Sequence, residues 1–473
     1  MKQNTPNLKL AGQRAQKAKV IYQHLHDDQT IRHIGKQKTC YVRSYGCQSN
    51  LLDGETMIGI LKLIGYRVVD DINQADLVIL NACAVRENAE KKVYGEIGLL
   101  KRQFKLRKNF MLGVCGCMFQ QENTVKKIIE HYPYVSFVFG THNLYDLPYI
   151  IQEVDETKKQ VIKVYSKEGD VIEGLPIDRT NKFKAFVNIM YGCDRFCSYC
   201  IVPYTRGKIR SRKKNDILNE IKQLIKDGYQ EVTLLGQNVN SYGNDQNDDY
   251  HFVDLLNDIC QLPIKRIRYT TSNPWNFDEA IVDLHCRYPN LMPYFHLPIQ
   301  SGDETILAKM NRHMKISRYL ALIRYIRQKI PNATISTDLI VGFPNETDEQ
   351  FANTLKLYNE VQFDNAYTFI YSKRSGTPAS TIVDTIPLNV KQQRLAELNN
   401  LVRKYAKKNN QKFLNQVVNV LVDGKSKTNA DVYTGYSPEW KVVNFTGKTK
   451  PGKFVNVKIT AISQFSLTGK IVK

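Results

Sequence analysis

The stretch "YGCDRFCSYCIVPYTRG", Tyr191–Gly207, sets three cysteines within eight residues: Cys193, Cys197 and Cys200. A structural zinc site closes its tetrahedron with four protein ligands. Here His142 and His251 lie about fifty residues away on either side, and the next cysteine downstream is Cys260. Either a distant residue completes the set or one metal position stays open. The apolar run just before it, "AFVNIM" (185–190), reads as a strand, so the thiols leave the carboxyl end of that strand, where α/β barrels carry their chemistry. Thiolates suit the tetrahedral irons of iron–sulfur clusters. A cubane held by three cysteines keeps a fourth iron free for a substrate or cofactor. Zinc, or three unrelated thiols, is the alternative.

On both sides of this loop the chain alternates strand and helix. From Lys184 the strand candidates are "AFVNIM", "EVTLLG", "RIRYTT", "YFHLPI", "TISTDLIVG" and "NAYTFIYS", separated by amphipathic segments such as "DILNEIKQLIKDG". Six strand–helix units are too few for an eightfold barrel and enough for a partial, TIM-like (β/α)6 one. Upstream, "TCYVRSY", "ADLVILN" and "FMLGV" alternate with helical patterns, which predicts a doubly wound parallel sheet. Downstream, a helical run from Val390 to about Phe413 gives way to short alternating strands, "QVVNVLVDG" to "LTGKIV", of a small antiparallel, OB-like barrel. The expectation is an α/β multidomain chain: a basic mobile extension over 1–37, a doubly wound domain over 38–155, a partial barrel over 179–410 and a small β-barrel over 411–473.

A second set of cysteines stands out by placement. Cys47, Cys83 and Cys117 each follow a strand candidate, spaced by 36 and 34 residues, close to one strand–helix unit each. In a parallel sheet such strand ends share one edge, where ligands bind, and neighbouring strands run roughly 4.8 Å apart, so three thiolates can converge. Cys115 should share the strand face of Cys117, so spacing leaves open which is the ligand. The plainer reading is three buried cysteines acting as small hydrophobes.

The bulk properties agree with an intracellular, polyanion-binding protein. The 473 residues carry 67 Lys+Arg against 46 Asp+Glu, a net charge of +21, which favours nucleic acid first and an acidic membrane surface second. No apolar run reaches membrane-spanning length and the N-terminus lacks a secretory core, so a cytoplasmic location is expected. There, ten cysteines are metal ligands or catalytic groups rather than disulfides.

Taken together, "SYGCQSN", "NACAVRENAE", "GVCGCM", "GCDRFCSYCIVPYTRG", "LLGQNVNSYG", "HLPIQSG", "DLIVGFPNET" and "SGTPA" resemble the radical S-adenosylmethionine (radical SAM) methylthiotransferases, and among them the MiaB-type branch acting on isopentenyladenosine. The resemblance spans residues 38 to 473. It implies a methylthiotransferase domain, a radical-SAM barrel and a C-terminal TRAM domain. It implies two 4Fe-4S clusters, one on Cys193, Cys197 and Cys200, the other on Cys47, Cys83 and Cys117, with Cys115 the surplus thiol. S-adenosylmethionine serves as methyl donor and radical source, and N6-(dimethylallyl)adenosine at tRNA position 37, next to the anticodon, becomes its 2-methylthio derivative. The attacked C–H offers no acidic proton, so no acid–base residue is expected.

Tyr199 is placed near the cofactor's adenine by the same resemblance. Gly236, Gln237 and Asn238, at the end of the second barrel strand, and Gln300 and Asp338, at or near strand ends, are candidates to contact S-adenosylmethionine. Asn273, Lys373 and Ser375 depart from the family pattern. The run "TRGKIRSRKK" offers Arg206, Lys208, Arg210, Arg212, Lys213 and Lys214 for RNA phosphates. From Gln411 onward ten lysines face three acids, interspersed with Tyr433, Tyr436, Trp440 and Phe445, a composition suited to RNA. The partners implied are the tRNA anticodon arm, an electron donor and a sulfur source; no membrane partner is expected, and a monomer is. A sibling enzyme on another nucleoside or a ribosomal protein, and a zinc-holding RNA-binding protein, are the competing readings.

Overall fold

The computed structural model describes residues 5–6, 20–22, 25, 28–84, 87–166, 171–247 and 249–472. Its strands are numbered along the chain. β1 (Val20–Tyr22) precedes the sheet of the first domain, which holds β2 (Thr39–Ser44), β3 (Arg67–Val68), β4 (Leu77–Asn81), β5 (Met111–Cys115), β6 (Phe137–Phe139) and β7 (Val161–Lys163). These six run parallel in the order β3-β2-β4-β5-β6-β7. β4 and β5 are buried along their whole length, as apolar strands covered on both faces must be. Helices Gln48–Leu63 and Leu147–Thr157 cover one face through Met57, Ile60, Ile150 and Ile151. Helices Glu87–Leu106 and Glu122–His131 cover the other through Val93, Ile97, Val125 and Ile128. The sheet is doubly wound as expected, and its order reverses between β2 and β4, the switch point at which such sheets bind ligands.

Much of the expected N-terminal extension lies outside the described residues. The part that is described is built into the fold. β1 pairs in parallel with β8 (Val171–Glu173). Leu25 and Ile31 are fully buried in the core under helix Gln48–Leu63, and Asp28 accepts a hydrogen bond from the Tyr149 hydroxyl at 2.8 Å.

The central domain opens with β9 (Lys184–Asn188), β10 (Met190–Tyr191) and β11 (Arg210–Ser211), followed by β12 (Glu231–Leu235), β13 (Arg266–Tyr269), β14 (Tyr294–His296), β15 (Thr334–Val341) and β16 (Asn365–Ile370). β9, β12 and β13 form one parallel sheet and β14, β15 and β16 another. A bridge between Ile267 and Leu291 connects them into a six-stranded partial barrel. The helix Leu388–Asn410 lies on β16, where the Thr368 hydroxyl donates to Asn399 at 2.6 Å.

β17 (Val417–Lys425), β18 (Tyr433–Tyr436), β19 (Val442–Thr446), β20 (Phe454–Ile462) and β21 (Ser466–Val472) close into a barrel in the order β17-β18-β19-β21-β20. All its pairs are antiparallel except β19 with β21; a closed ring with an odd number of strands requires one parallel pair. The barrel docks on the amino-terminal ends of the central strands. Arg266 donates to the Tyr436 carbonyl at 2.8 Å, and Arg268 to the carbonyls of Ser437 and Pro438 at 2.7 and 2.8 Å. Buried Glu231 holds Arg268 at 3.0 Å. The Trp440 ring stacks on Tyr294 at 5.6 Å and lies under the Arg268 guanidinium at 4.3 Å. The small barrel therefore seals the end of the central barrel opposite the thiol loop. Among the described residues no helix is long and apolar enough to cross a membrane.

Candidate active site

The three thiols of the first domain sit at the strand ends flanking its switch point. Cys47 precedes helix Gln48–Leu63 as its N-cap, Cys83 lies just beyond β4, and Cys117 opens the short 3-10 turn after β5. Two glycines let these loops close up. A side chain on Gly46 (φ +114°) would place its Cβ 2.2 Å from Cys83 Cβ, and one on Gly116 (φ +95°) would lie 2.3 Å from Asn81 Oδ1. Fully buried Asn50, which donates to Asn81 Oδ1 at 3.3 Å, presents its own Oδ1 to both Cys47 Sγ (3.7 Å) and Cys117 Sγ (3.8 Å). The Cys83 thiol donates to Cys47 and, with the charge of Arg206, holds Cys47 down at about 6 against its burial. Burial pushes Cys117 up, although Arg206 Nε donates to its sulfur at 3.0 Å. Cys115 instead turns into the core under the helix, 3.7 Å from Met57 Sδ. It leaves the strand on the helix side, whereas Cys117 has already passed the strand end.

The second thiol group hangs between β10 and the one-turn helix Val202–Thr205. Antiparallel pairing of β10 with β11 ties the base of the loop, and Cys193 N donates to the Gly207 carbonyl at 3.0 Å. Gly192 (φ +74°) is required there because a Cβ would meet the Lys208 carbonyl at 2.0 Å. Ser198 anchors the loop tip, donating N–H to the Met310 carbonyl and its hydroxyl to the Lys309 carbonyl. Burial raises Cys193 to about 11 and raises Cys200 further, with nearby Cys197 adding to both. Buried Arg312 directs Nη1 at Cys197 Sγ (3.6 Å) and lies over the Trp275 ring at 4.8 Å. No three His, Cys, Asp or Glu side chains among the described residues close on one point as a single ion requires. A cubane, whose thiolates each take a different iron, asks for wider spacing. Two sets of three soft donors, each with a nearby guanidinium to offset thiolate charge, fit such clusters.

The two groups are joined by Arg206. It follows the helix after Cys200, yet its guanidinium reaches the first domain, donating to Asp53 Oδ2 at 2.5 Å and Asn50 Oδ1 at 2.9 Å besides Cys117. Beneath it a cavity of about 530 Å³ is walled by Asp53, His142, Tyr191 and Arg210. Burial and the charges of Arg210 and Arg206 hold His142 well below its usual range.

This corrects part of the expected RNA contact set. Arg206, Arg210 and Arg212 are all buried. Arg212 forks onto Glu173 and also pairs with Glu220 at 2.7 Å, and Arg210 donates to the Arg206 carbonyl. Their charges are consumed inside the domain junction and present no surface to phosphate. Lys213 and Lys214 are exposed, and Lys208 is half-buried; Lys214 pairs with Asp258 at 2.9 Å.

Among the expected cofactor contacts, Tyr199 is half-buried against a small apolar group of Ile306, Met310, Phe343 and Ala379. Gly236 abuts Met190, whose Cγ would be 2.7 Å from a Cβ there. Gln237 reaches across to the first domain, donating to Ser49 Oγ at 3.2 Å. Gln300, with φ +77°, donates its N–H to the Asp338 carbonyl at 2.9 Å, midway along β15. Asn238 is the exception. It is buried, donating to Ser241 Oγ and accepting from Asn273 N, so its side chain braces the loop instead of facing a ligand. Asn273 caps the turn that carries Trp275. The loop of Lys373 and Ser375 leans on the first domain through Arg374–Glu90 at 2.9 Å and Asn123–Ser375 at 3.4 Å. The Arg206 bridge, Arg312 and Trp275 were missed by the sequence reading. The only signal for the first was an arginine just past a one-turn helix, which has no partner until the fold brings Asp53 to it.

Comparison with known proteins covers all three domains. The chain matches the radical SAM superfamily over residues 187–358, the uncharacterized protein family UPF0004 over 39–140 and the TRAM domain over 411–472. Curated relatives bearing the name tRNA-2-methylthio-N(6)-dimethylallyladenosine synthase are similar over nearly its whole length. That of Malacoplasma penetrans (strain HF-2) is 55% identical over 99% of this chain and 96% of its own. That of Geobacillus kaustophilus (strain HTA426) is 50% identical over 99% and 88%, and that of Bacillus subtilis (strain 168) 48% over 99% and 92%. The radical S-adenosylmethionine methyltransferase TsrM from Kitasatospora setae shares the fold alone, with a TM-score of 0.53 at 13% identity over 72% of this chain and 74% of that one.

Proposed function

Because the chain belongs to the tRNA-2-methylthio-N(6)-dimethylallyladenosine synthase family, we propose that its two thiol groups hold two separate iron–sulfur clusters that face each other across the domain junction. The chain is a radical S-adenosylmethionine transferase that adds a 2-methylthio group to N6-(dimethylallyl)adenosine in tRNA. An iron–sulfur cluster and S-adenosylmethionine are its cofactors. The observation that carries the two-cluster reading is the Arg206 bridge, which ties the helix after Cys200 to Cys117.

Bound at these positions, the clusters would supply the electron for reductive cleavage of S-adenosylmethionine and a carrier for the inserted sulfur. Cys193, Cys197 and Cys200 hold the first, and Cys47, Cys83 and Cys117 the second. Tyr199, Gln237, Gln300 and Asp338, with the backbone of Gly236, would hold S-adenosylmethionine. Arg312 and Arg206 each place a buried guanidinium beside a ligand sulfur, where it would offset the negative charge of a cluster. The sealed lower end of the barrel and the docked first domain would limit solvent access from those two sides. No side chain is assigned to proton transfer, because the attacked C–H is not acidic.

The small barrel keeps Lys425, Lys427, Lys448, Lys450, Lys453, Lys458 and Lys470 exposed. These, the exposed Lys213 and Lys214 and the half-buried Lys208 grip the anticodon arm of the tRNA by its phosphates. The protein works as a cytoplasmic monomer, with an external electron donor and an external sulfur source. Nucleoside mass spectrometry on tRNA from cells with and without this protein tests the reaction. Loss of the 2-methylthio product, with N6-(dimethylallyl)adenosine accumulating, is expected. Iron analysis tests the clusters: about eight irons per chain, falling to about half when Cys47, Cys83 and Cys117 become alanine. An unchanged iron content in that variant would refute the second cluster.

A further inference from the structure

β16 is the last strand of the barrel, and among the described residues no strand pairs with its outer side, so the lumen is open along it. Side chains alternate across a strand. Thr368 and Ile370 turn toward helix Leu388–Asn410 and the core beneath it. Tyr367 and Phe369 therefore turn inward, and both remain solvent-exposed, at 42% and 38%. Their surroundings tie them to the reacting end. Tyr367 is paired in register with Asp338 and lies edge-on to His296 at 5.9 Å, while Phe369 is paired with Ile340. Ile340 packs on the same small apolar group as Tyr199, the neighbour of Cys200. Two exposed aromatic rings on successive inward positions, beside the thiol loop and at an open edge, form an aromatic wall that a ligand entering the lumen would meet.

The family's substrate has matching chemistry. Its base must leave the stack to present C2, and it then offers a purine face and a five-carbon apolar branch on N6. We propose that Tyr367 and Phe369 receive the unstacked adenine and its dimethylallyl branch, and that they set the preference for the prenylated over the unmodified nucleoside. The assignment rests on the family's reaction and adds to it the residues that read the branch. Stacking of a base on an aromatic ring, and burial of apolar carbons in a pocket, are each worth about tenfold or more in binding.

The test is equilibrium binding, under anaerobic conditions, of two anticodon-arm RNAs to the reconstituted protein. One carries N6-(dimethylallyl)adenosine at the reacting position and the other adenosine. The wild type should favour the prenylated arm. Phe369→Ala and Tyr367→Ala should each weaken binding of both arms through lost stacking and that of the prenylated arm about tenfold more, so that the ratio falls about tenfold, with iron content retained. Phe369→Leu, which keeps apolar volume, should recover much of the ratio and serves as the measure if Phe369→Ala fails to fold. A wild-type ratio in the variants overturns the proposal while the reaction stands. A wild type that neither prefers nor methylthiolates the prenylated arm overturns the substrate reading itself, and the proposal with it.

Discussion

Replacing Arg206 by methionine should loosen the junction between the first domain and the barrel. Arg206 and Asp53 are 5% and 7% exposed, and the arginine donates to Asp53, Asn50 and Cys117 within 3.0 Å. Removing one partner of a buried pair leaves the other charge without its counterion and costs about 3–5 kcal/mol. If that free energy falls on docking, the opening equilibrium of the junction rises by roughly two to three and a half powers of ten, since about 1.4 kcal/mol corresponds to one. Hydrogen exchange reads this directly, because amides protected only by docking exchange in proportion to opening. Residues 202–212 and the first turns of helix Gln48–Leu63 should lose protection, while β4 and β5 should keep theirs. The double variant Arg206→Met with Asp53→Leu replaces the pair by apolar groups and should regain most of the loss. Exchange within tenfold of wild type in the single variant, or a double variant as open as the single, would refute the reasoning.

Gly46→Ala should deplete the iron held by the first domain, because the new Cβ would lie 2.2 Å from Cys83 Cβ at a backbone φ of +114°. Iron per chain near half the wild-type content is expected, and a full complement would count against it. Trp440→Ala should cost about 3 kcal/mol by emptying the stack between Tyr294 and Arg268. Limited proteolysis should then release the small barrel, and equal resistance would contradict the seal. Burial holds His285 down at about 3. Because this folded value is depressed, the neutral ring contributes stability that is fully present above the usual value near 6.5 and is lost as pH falls toward 3. At pH 5.5 the loss is about 1.4 kcal/mol, and a His285→Phe variant should unfold with a shallower acid dependence between pH 6.5 and 4.

The cysteine positions were readable because both periodicities that place them are local. A strand, its thiol and the next helix occur within one unit, so spacing alone lays residues 47, 83 and 117 on one sheet edge. The alternation also separated a doubly wound sheet from a partial barrel. What stayed hidden depends on partners distant in sequence. The run from Arg206 to Lys214 reads as one basic surface, yet two of its arginines find Asp53, Glu173 and Glu220 inside the junction. Likewise the residues before Thr39 read as a polar tail, yet β1 pairs with β8, about 150 residues downstream, and Leu25 and Ile31 enter the core under helix Gln48–Leu63. Trp440 and Tyr436 looked available for RNA, but the arginines that draw this segment onto the barrel sit on β13.

The placement of the small barrel also makes the central one a ruler. β15 has eight residues, and at about 3.3 Å each it spans roughly 26 Å from the seal at its foot to its head, with Asp338 about midway. An RNA that engages both ends has to bridge that height, which a stem with its loop does and a free nucleoside does not.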